Sequence, residues 1–204
     1  MILLVAVVLI GCAVGGTIAY FTDTTDAVTN TFVVGKLFAN PEKEFTLWEH
    51  TIEDQNTDGV YELTATEGIG NAYTVLPGVN LPKDPTVDIV NLELNAYLYI
   101  KVVNNLPNGM TATIDDEKWA LLDETNYPGI YVYKGEKATN NVIDVNGDKL
   151  SFTVNILKDN QIVVADNFTT TAAIPNLVFT AYAVQAPGFE SAADAWSKTF
   201  GATP

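Results

Sequence analysis

Asp54-Gln55-Asn56-Thr57-Asp58-Gly59 places oxygen-bearing side chains at every second position and ends on a glycine. Alternate oxygens at that spacing point at one centre, and the glycine permits the sharp turn of a calcium loop. Glu62 adds a carboxylate just beyond the turn. The twelfth position, where an EF-hand carries a bidentate Glu, is Ala65, so the loop is not an EF-hand. Asp54, Asn56, Asp58 and Glu62 are the candidate calcium ligands. The competing expectation is an Asx/Gly turn between two strands. Asp144-Val145-Asn146-Gly147-Asp148 offers fewer oxygens and reads as a turn of the Asn-Gly kind.

The single histidine, His50, stands in Trp48-Glu49-His50-Thr51-Ile52-Glu53. A zincin needs two imidazoles one helical turn apart with a Glu as base. One imidazole on a strand-like pattern does not meet that need, so a metallopeptidase is the weakest of the functions considered. Asp115-Asp116 and Asp123-Glu124 are carboxylate pairs of the kind glycoside hydrolysis uses, but they read more simply as a helix start and a solvated end. Gly68-Ile69-Gly70 lacks the Lys and the helix start that phosphate binding requires. Asn167-Phe168-Thr169 is a glycosylation sequon. The only cysteine is Cys12, so beyond it there is no disulfide, Cys-ligated zinc, iron–sulfur cluster or thiol nucleophile. The expectation is a protein that is not an enzyme and requires no cofactor, with calcium the one ion offered a loop.

The chain has 204 residues with 10 Lys and no Arg against 25 acids, a net charge of −15. Hydrophobic residues make up 48%, charged residues 17%, and the mean hydropathy is +0.14. That apolar content sustains a packed core. The charge excludes a nucleic-acid binder, which needs a basic patch, and a surface that docks on anionic lipid.

No charged residue precedes Asp23. The run MILLVAVVLI softens into GCAVGGTIA, as a signal peptide does, with Thr17 and Ala19 at the −3 and −1 positions. The expected cut lies between Ala19 and Tyr20. Two alternatives stand beside it. The run is long enough to span a bilayer as an uncleaved anchor, which would be the chain's one link to a membrane. Leu9-Ile10-Gly11-Cys12 also resembles a lipoprotein box. The basic n-region that each reading wants is missing.

The remaining sequence reads as short strands separated by turns. Expected strands are Thr29–Leu37, Phe45–Ile52, Val60–Thr66, Tyr73–Leu76, Ala96–Val103, Ile130–Lys134, Leu150–Ile156, Gln161–Ala165 and Leu177–Ala186. Ala96–Val103 is apolar on both faces, as for a strand buried between layers. Leu150–Ile156 alternates, with Leu150, Phe152, Val154 and Ile156 on one face. Turn signals are Pro77-Gly78, Pro107-Asn108-Gly109, Pro128-Gly129, Asn146-Gly147 and Lys158-Asp159-Asn160. Two helices are expected, Asp115–Glu124 behind three leading acids and Ser191–Phe200 behind a Ser191/Asp194 capping pair. The second carries a stripe of Phe189, Ala192, Ala193, Trp196 and Phe200 for docking on the sandwich.

Gly15–Leu37, GGTIAYFTDTTDAVTNTFVVGKL, resembles the N-terminus of the TasA/camelysin family. The resemblance rests on the Gly-Gly pair, the small residue before the cut, Tyr20-Phe21, Asp23 and Asp26, then Thr29-Asn30-Thr31-Phe32 and Val34-Gly35. Leu76-Pro77-Gly78 with Lys83-Asp84-Pro85, and Phe179–Phe200, are similar to further segments of such proteins. The family implies a Gram-positive secreted protein cut by a signal peptidase of the SipW type. It also implies a jelly-roll sandwich that polymerises into extracellular or biofilm-matrix fibres. In relatives the freed N-terminal segment acts as a donor strand for the next subunit. The residues transferred to that role are Thr29, Thr31, Phe32, Val33 and Val34. A terminal strand pairs in cis or in trans, and pairing in trans head to tail makes filaments. Staying in cis would make it the first strand of its own sandwich.

The combined expectation is a mainly β, jelly-roll-like antiparallel sandwich with one or two short helices and an N-terminal apolar signal helix. Residues 1–19 are the signal peptide, 20–36 the donor segment and 37–204 a single sandwich domain. The expected partners are further copies of the chain and the signal peptidase. The alternative function is a monomeric cell-surface adhesion or binding module, with calcium as its ion.

Overall fold

The computed structural model describes residues 22–25 and 30–33 as backbone strands, and residues 37–55, 57–170, 174 and 176–201 in full. The signal helix, the Ala19–Tyr20 cut, Thr29, Val34 and Asn56 lie outside the described residues.

In chain order the first elements are β1 (Thr22–Thr25), β2 (Asn30–Val33), α1 (Pro41–Glu44), β3 (Phe45–Glu53), β4 (Glu62–Gly68) and β5 (Leu81–Pro82). Then come β6 (Thr86–Leu92), β7 (Ala96–Asn104), β8 (Met110–Ile114), β9 (Trp119–Asp123) and β10 (Tyr127–Tyr133). The last are β11 (Ala138–Thr139), β12 (Val142–Ile143), β13 (Leu150–Asn155), β14 (Leu157–Val164), β15 (Leu177–Gln185) and α2 (Ala192–Phe200). The molecule is mainly β, sandwich-like and antiparallel, with two short helices, as the sequence predicts.

β7 organises the larger sheet. It pairs with β15 from Leu177↔Asn104 to Gln185↔Ala96. Its other edge is shared by β10 and β12, which carry β9 and β11 outside them. Beyond β15 the sheet continues through β1 to β2. The opposing sheet runs β13-β6-β3-β4, and β5-β14-β8 form a third.

β7 is buried on both faces because its alternate residues meet different layers. Leu98 and Ile100 join Phe38, Phe45, Val87, Ile89, Val154 and Ala181 between the sheets. Tyr97 and Tyr99 join Ile130, Val132, Val184 and Trp196 under α2. α2 begins at Ser191, whose Oγ accepts from Asp194 N at 3.1 Å, while Asp194 Oδ2 accepts from Glu190 N at 3.1 Å. Trp196 packs against Tyr99, Tyr182 and Phe200, with ring centroids 5.1, 5.2 and 4.5 Å away. Tyr99 OH ties the layer down by donating to Ala192 O at 2.8 Å. The docking helix stands where the sequence predicts it, with Phe189, Ala192, Trp196 and Phe200 on its packed face, but Ala195 and not Ala193 is the further residue buried there.

Several expectations need correction. Asp115–Glu124 is not a helix. Asp115 instead closes a turn, its O accepting from Lys118 N and Trp119 N and its Oδ1 from Glu117 N. The chain then runs as β9 beside β10. Tyr73–Leu76 joins no sheet; Thr74 N donates to Tyr61 OH at 2.8 Å and Tyr73 OH to Pro82 O at 2.6 Å, so side chains replace a ladder. The strand expected at Val60–Thr66 begins at Glu62, because Val60 N is used by the turn, donating to Asp58 Oδ1 at 3.0 Å. Lys158–Asn160 does not end a strand. Asp159 and Asn160 take positive φ inside β14, where the register against β8 shifts between Leu157 and Ile162. Pro128-Gly129 likewise marks an irregularity inside β10 rather than a loop. Asn146-Gly147 is a turn with positive φ at both residues, but it carries the chain from β12 to β13 in the other sheet.

Candidate functional site

Trp48 pairs with Thr86, the first residue of β6, yet β3 runs on to Glu53. Beyond Trp48 the β6-side edge of β3 would leave backbone groups unpaired, which burial penalises. Two side chains take over the ladder. His50 N donates to Asp84 Oδ1 at 3.0 Å. Asn71 Nδ2 donates to His50 O at 2.8 Å, and Ile52 N donates to Asn71 Oδ1 at 3.2 Å. Pro85 keeps Asp84 extended and in place, since the residue before a proline is pushed out of the helical region.

This edge gathers unusual chemistry. Among the described residues the buried polar or charged ones are Glu49, Lys83, Asp84 and Thr86, all of them here. Lys83 Nζ meets Glu49 Oε2 at 2.6 Å. His50 Nδ1 meets Asp84 Oδ2 at 2.6 Å, and Trp48 sets its ring edge-on to the imidazole at 4.9 Å. Thr86 Oγ1 donates to Asp84 O at 2.7 Å. Burial, then the nearby Glu49 charge, pushes the Tyr73 phenol well above its ordinary range, so it stays a donor. Removing one partner of a buried ion pair costs about 3–5 kcal/mol, because the other is left uncompensated.

A cleft of about 680 Å³ opens beside this cluster, walled by Trp48, Tyr73, Leu81, Met110, Ile162 and Phe179, with Glu49, Lys83 and Asn71 supplying its polar side.

The residues singled out in the sequence fall in separate places. Asp54 accepts from Asp58 N at 3.2 Å and from Gly59 N at 2.9 Å, so both its oxygens brace the loop between β3 and β4. Asp58 accepts from Val60 N, and Glu62 Oε2 accepts from Gln55 Nε2 at 3.1 Å. Among the described residues no three of His, Cys, Asp or Glu gather as a metal site. Asp115 lies in the turn before β9 and Asp123 at the strand's far end. Burial works upward on the Asp115 carboxyl, but the Lys118 ammonium 2.7 Å away and Glu117 N hold it below its ordinary value. Asp123 is held below its ordinary value by hydrogen bonds from Asn126 N, the Asn126 side chain and Thr125 N. Thr31, Phe32 and Val33 lie in β2, paired with Thr24, Asp23 and Thr22 of β1, and β1 pairs with Ala181–Val184 of β15.

Sequence reasoning missed Glu49 with Lys83, and Asn71. The partners of the ion pair are 34 positions apart, and no local pattern joins them. One signal was available: between Lys43 and Lys83 the chain holds acids and no Lys.

Among the described residues no helix is long and apolar enough to cross a membrane. No protein-family model matches the chain, no curated protein matches it, and no solved structure matches it.

Proposed function

We propose that the chain is a secreted structural subunit of the TasA/camelysin kind that assembles head to tail into extracellular filaments, using its N-terminal segment as the connecting strand. The supporting observation is the make-up of one sheet edge. β15 is a long strand of the main sheet, and its outer edge is covered by β1, which comes from the segment 20–36. Among the described residues that cover is Thr22–Thr25 against Ala181–Val184. A strand edge covered by a segment near the chain's N-terminus can be covered equally by the same segment of another copy. Exchange of identical pairing costs little enthalpy, and a head-to-tail contact that does not close grows as a filament.

The test is negative-stain electron microscopy of the protein from Tyr20 to Pro204, alone and with salt or calcium, beside a variant lacking Tyr20–Gly35. Regular filaments from the longer chain and none from a folded, truncated one are the expected result. Filaments that survive the deletion overturn strand donation. Only monodisperse particles from the longer chain move the reading to a monomeric surface-binding module, for which the apolar cleft beside Glu49 and Lys83 is the supporting feature.

A further inference from the structure

We propose that Lys83 and Asn71 become joined by an intramolecular isopeptide bond, formed by the protein itself with Glu49 as the proton carrier. One carboxylate bridges the two side chains: Glu49 Oε2 contacts Lys83 Nζ at 2.6 Å, and Glu49 Oε1 accepts from Asn71 Nδ2 at 3.1 Å. Glu49 and Lys83 are 4% and 9% exposed. Asn71 Oδ1 accepts from Ile52 N at 3.2 Å, a backbone donor aimed at the oxygen that gains charge when the amide is attacked. An amine, a carboxyl touching both the amine and the group that leaves, and a polarised carbonyl are the parts that amide transfer needs. Held together in a folded site, they react without the entropic cost of meeting in solution. Trp48, Tyr73 and Leu81 provide apolar walls beside them.

The step balances without an outside reagent. A proton passes from the Lys83 ammonium to Glu49 Oε2, replacing two buried charges with a neutral amine and a carboxylic acid. The Nζ lone pair forms a bond to Asn71 Cγ, and the carbonyl π pair moves onto Oδ1 against Ile52 N–H. Glu49 gives its proton to Nδ2 and takes one from Nζ. The pair on Oδ1 returns, the Cγ–Nδ2 bond breaks, and ammonia leaves. The products are a secondary amide between Lys83 and Asn71, ammonia, and a proton on Glu49 that passes on to the ammonia. Nothing is oxidised or reduced. The bond pins the stretch between β4 and β5, which lacks ladder hydrogen bonds, in a chain whose only cysteine is Cys12.

Mass spectrometry of the folded, full-length protein tests this, with a cooperative thermal transition certifying that the sample is folded. The denatured mass is expected about 17 Da below the sequence mass, the loss of one ammonia. Trypsin does not cleave after an acylated Lys, so the deficit should fall in an uncut Glu44–Lys101 peptide. Succinimides at Asn108-Gly109 or Asn146-Gly147 lose the same mass but lie outside that peptide, so the map separates them. Glu49→Gln should lower the reacted fraction at least about tenfold. Lys83→Arg should abolish it. Folded wild-type protein that yields unmodified Glu44–Lys83 and Asp84–Lys101 overturns the proposal, whatever the variants do. A Glu49→Gln variant that reacts fully overturns the role given to Glu49.

Discussion

Gly129 lies inside β10 with a φ of +75°, and a Cβ placed there would stand 2.6 Å from Val102 O of β7. Two separate costs meet at this position, a left-handed backbone and a collision with another strand's backbone. Gly147 has a similar φ of +85° but open space around its Cβ. Gly129→Ala should therefore lose on the order of 3 kcal/mol, against about 1 kcal/mol for Gly147→Ala, in urea unfolding. Equal losses would refute the steric half of the argument. The comparison also marks what a local sequence pattern reveals. Both dipeptides, Pro128-Gly129 and Asn146-Gly147, announce a positive φ. Neither reveals whether that φ serves a turn or a bulge, because the deciding atom, Val102 O, belongs to a remote strand. The buried pair of Glu49 and Lys83 was hidden for the same reason, since its partners meet only once β3 outruns β6.

Two segments with matching local signals, Asp115–Glu124 and Ser191–Phe200, end as different elements. Each opens on a helix-start signal, three acids in the first and the Ser191/Asp194 capping pair in the second. Ser191–Phe200 becomes α2 because a helical stripe puts Ala192, Ala195 and Trp196 together on one apolar face of the sheet. Asp115–Glu124 meets two cores instead of one. Trp119 packs in the core between the sheets, with its Nε1 donating to Asn155 O at 3.0 Å, while Ala120 and Leu122 pack against the cluster under α2. A helix would put Trp119 and Leu122 on one side, whereas a strand divides adjacent residues between two layers. Tertiary packing thus overrides the helical start signal, and no local reading sees the second layer. The strands were legible where burial is plain: β7 by its two apolar faces and β13 by its alternation. In α2 the cap makes a separable contribution. Ser191→Ala should lower stability by about 1 kcal/mol while leaving the β fold intact, read as a lower melting temperature with an unchanged far-ultraviolet β signal. No change would mean that docking of Trp196 alone fixes the helix start.

Across the whole molecule the net charge of −15 sets copies of the chain against one another. Head-to-tail assembly, as proposed, brings like-charged surfaces within a Debye length, which is about 10 Å at 0.1 M salt and about 30 Å at 0.01 M. Assembly should therefore rise with salt over that range. Mild acid should act the same way, provided the fold survives, and the individual carboxyls decide that. Hydrogen bonding from Asn40 holds Glu44 below its ordinary value, the Lys198 side chain does so for Asp194, and Asp115 and Asp123 are also lowered. Such groups contribute stability above their unfolded values and lose it only as the pH falls through their lower folded ones. Asp88 runs the other way. Burial first, and then the Glu67 charge, raises its folded value above the unfolded one. It therefore costs stability near neutrality and returns it as the pH falls through the raised value. Down to about pH 5 the lowered carboxyls stay ionised, protonation of Asp88 can only add stability, and the repulsion between copies weakens. Light scattering of Tyr20–Pro204 should accordingly show more polymer at about pH 5 than at pH 7, with an undiminished melting temperature, and the pH effect should shrink as salt rises. A polymer yield flat in both salt and pH would mean that the charged faces stay apart in the assembly, which a head-to-tail strand contact between these molecules does not allow.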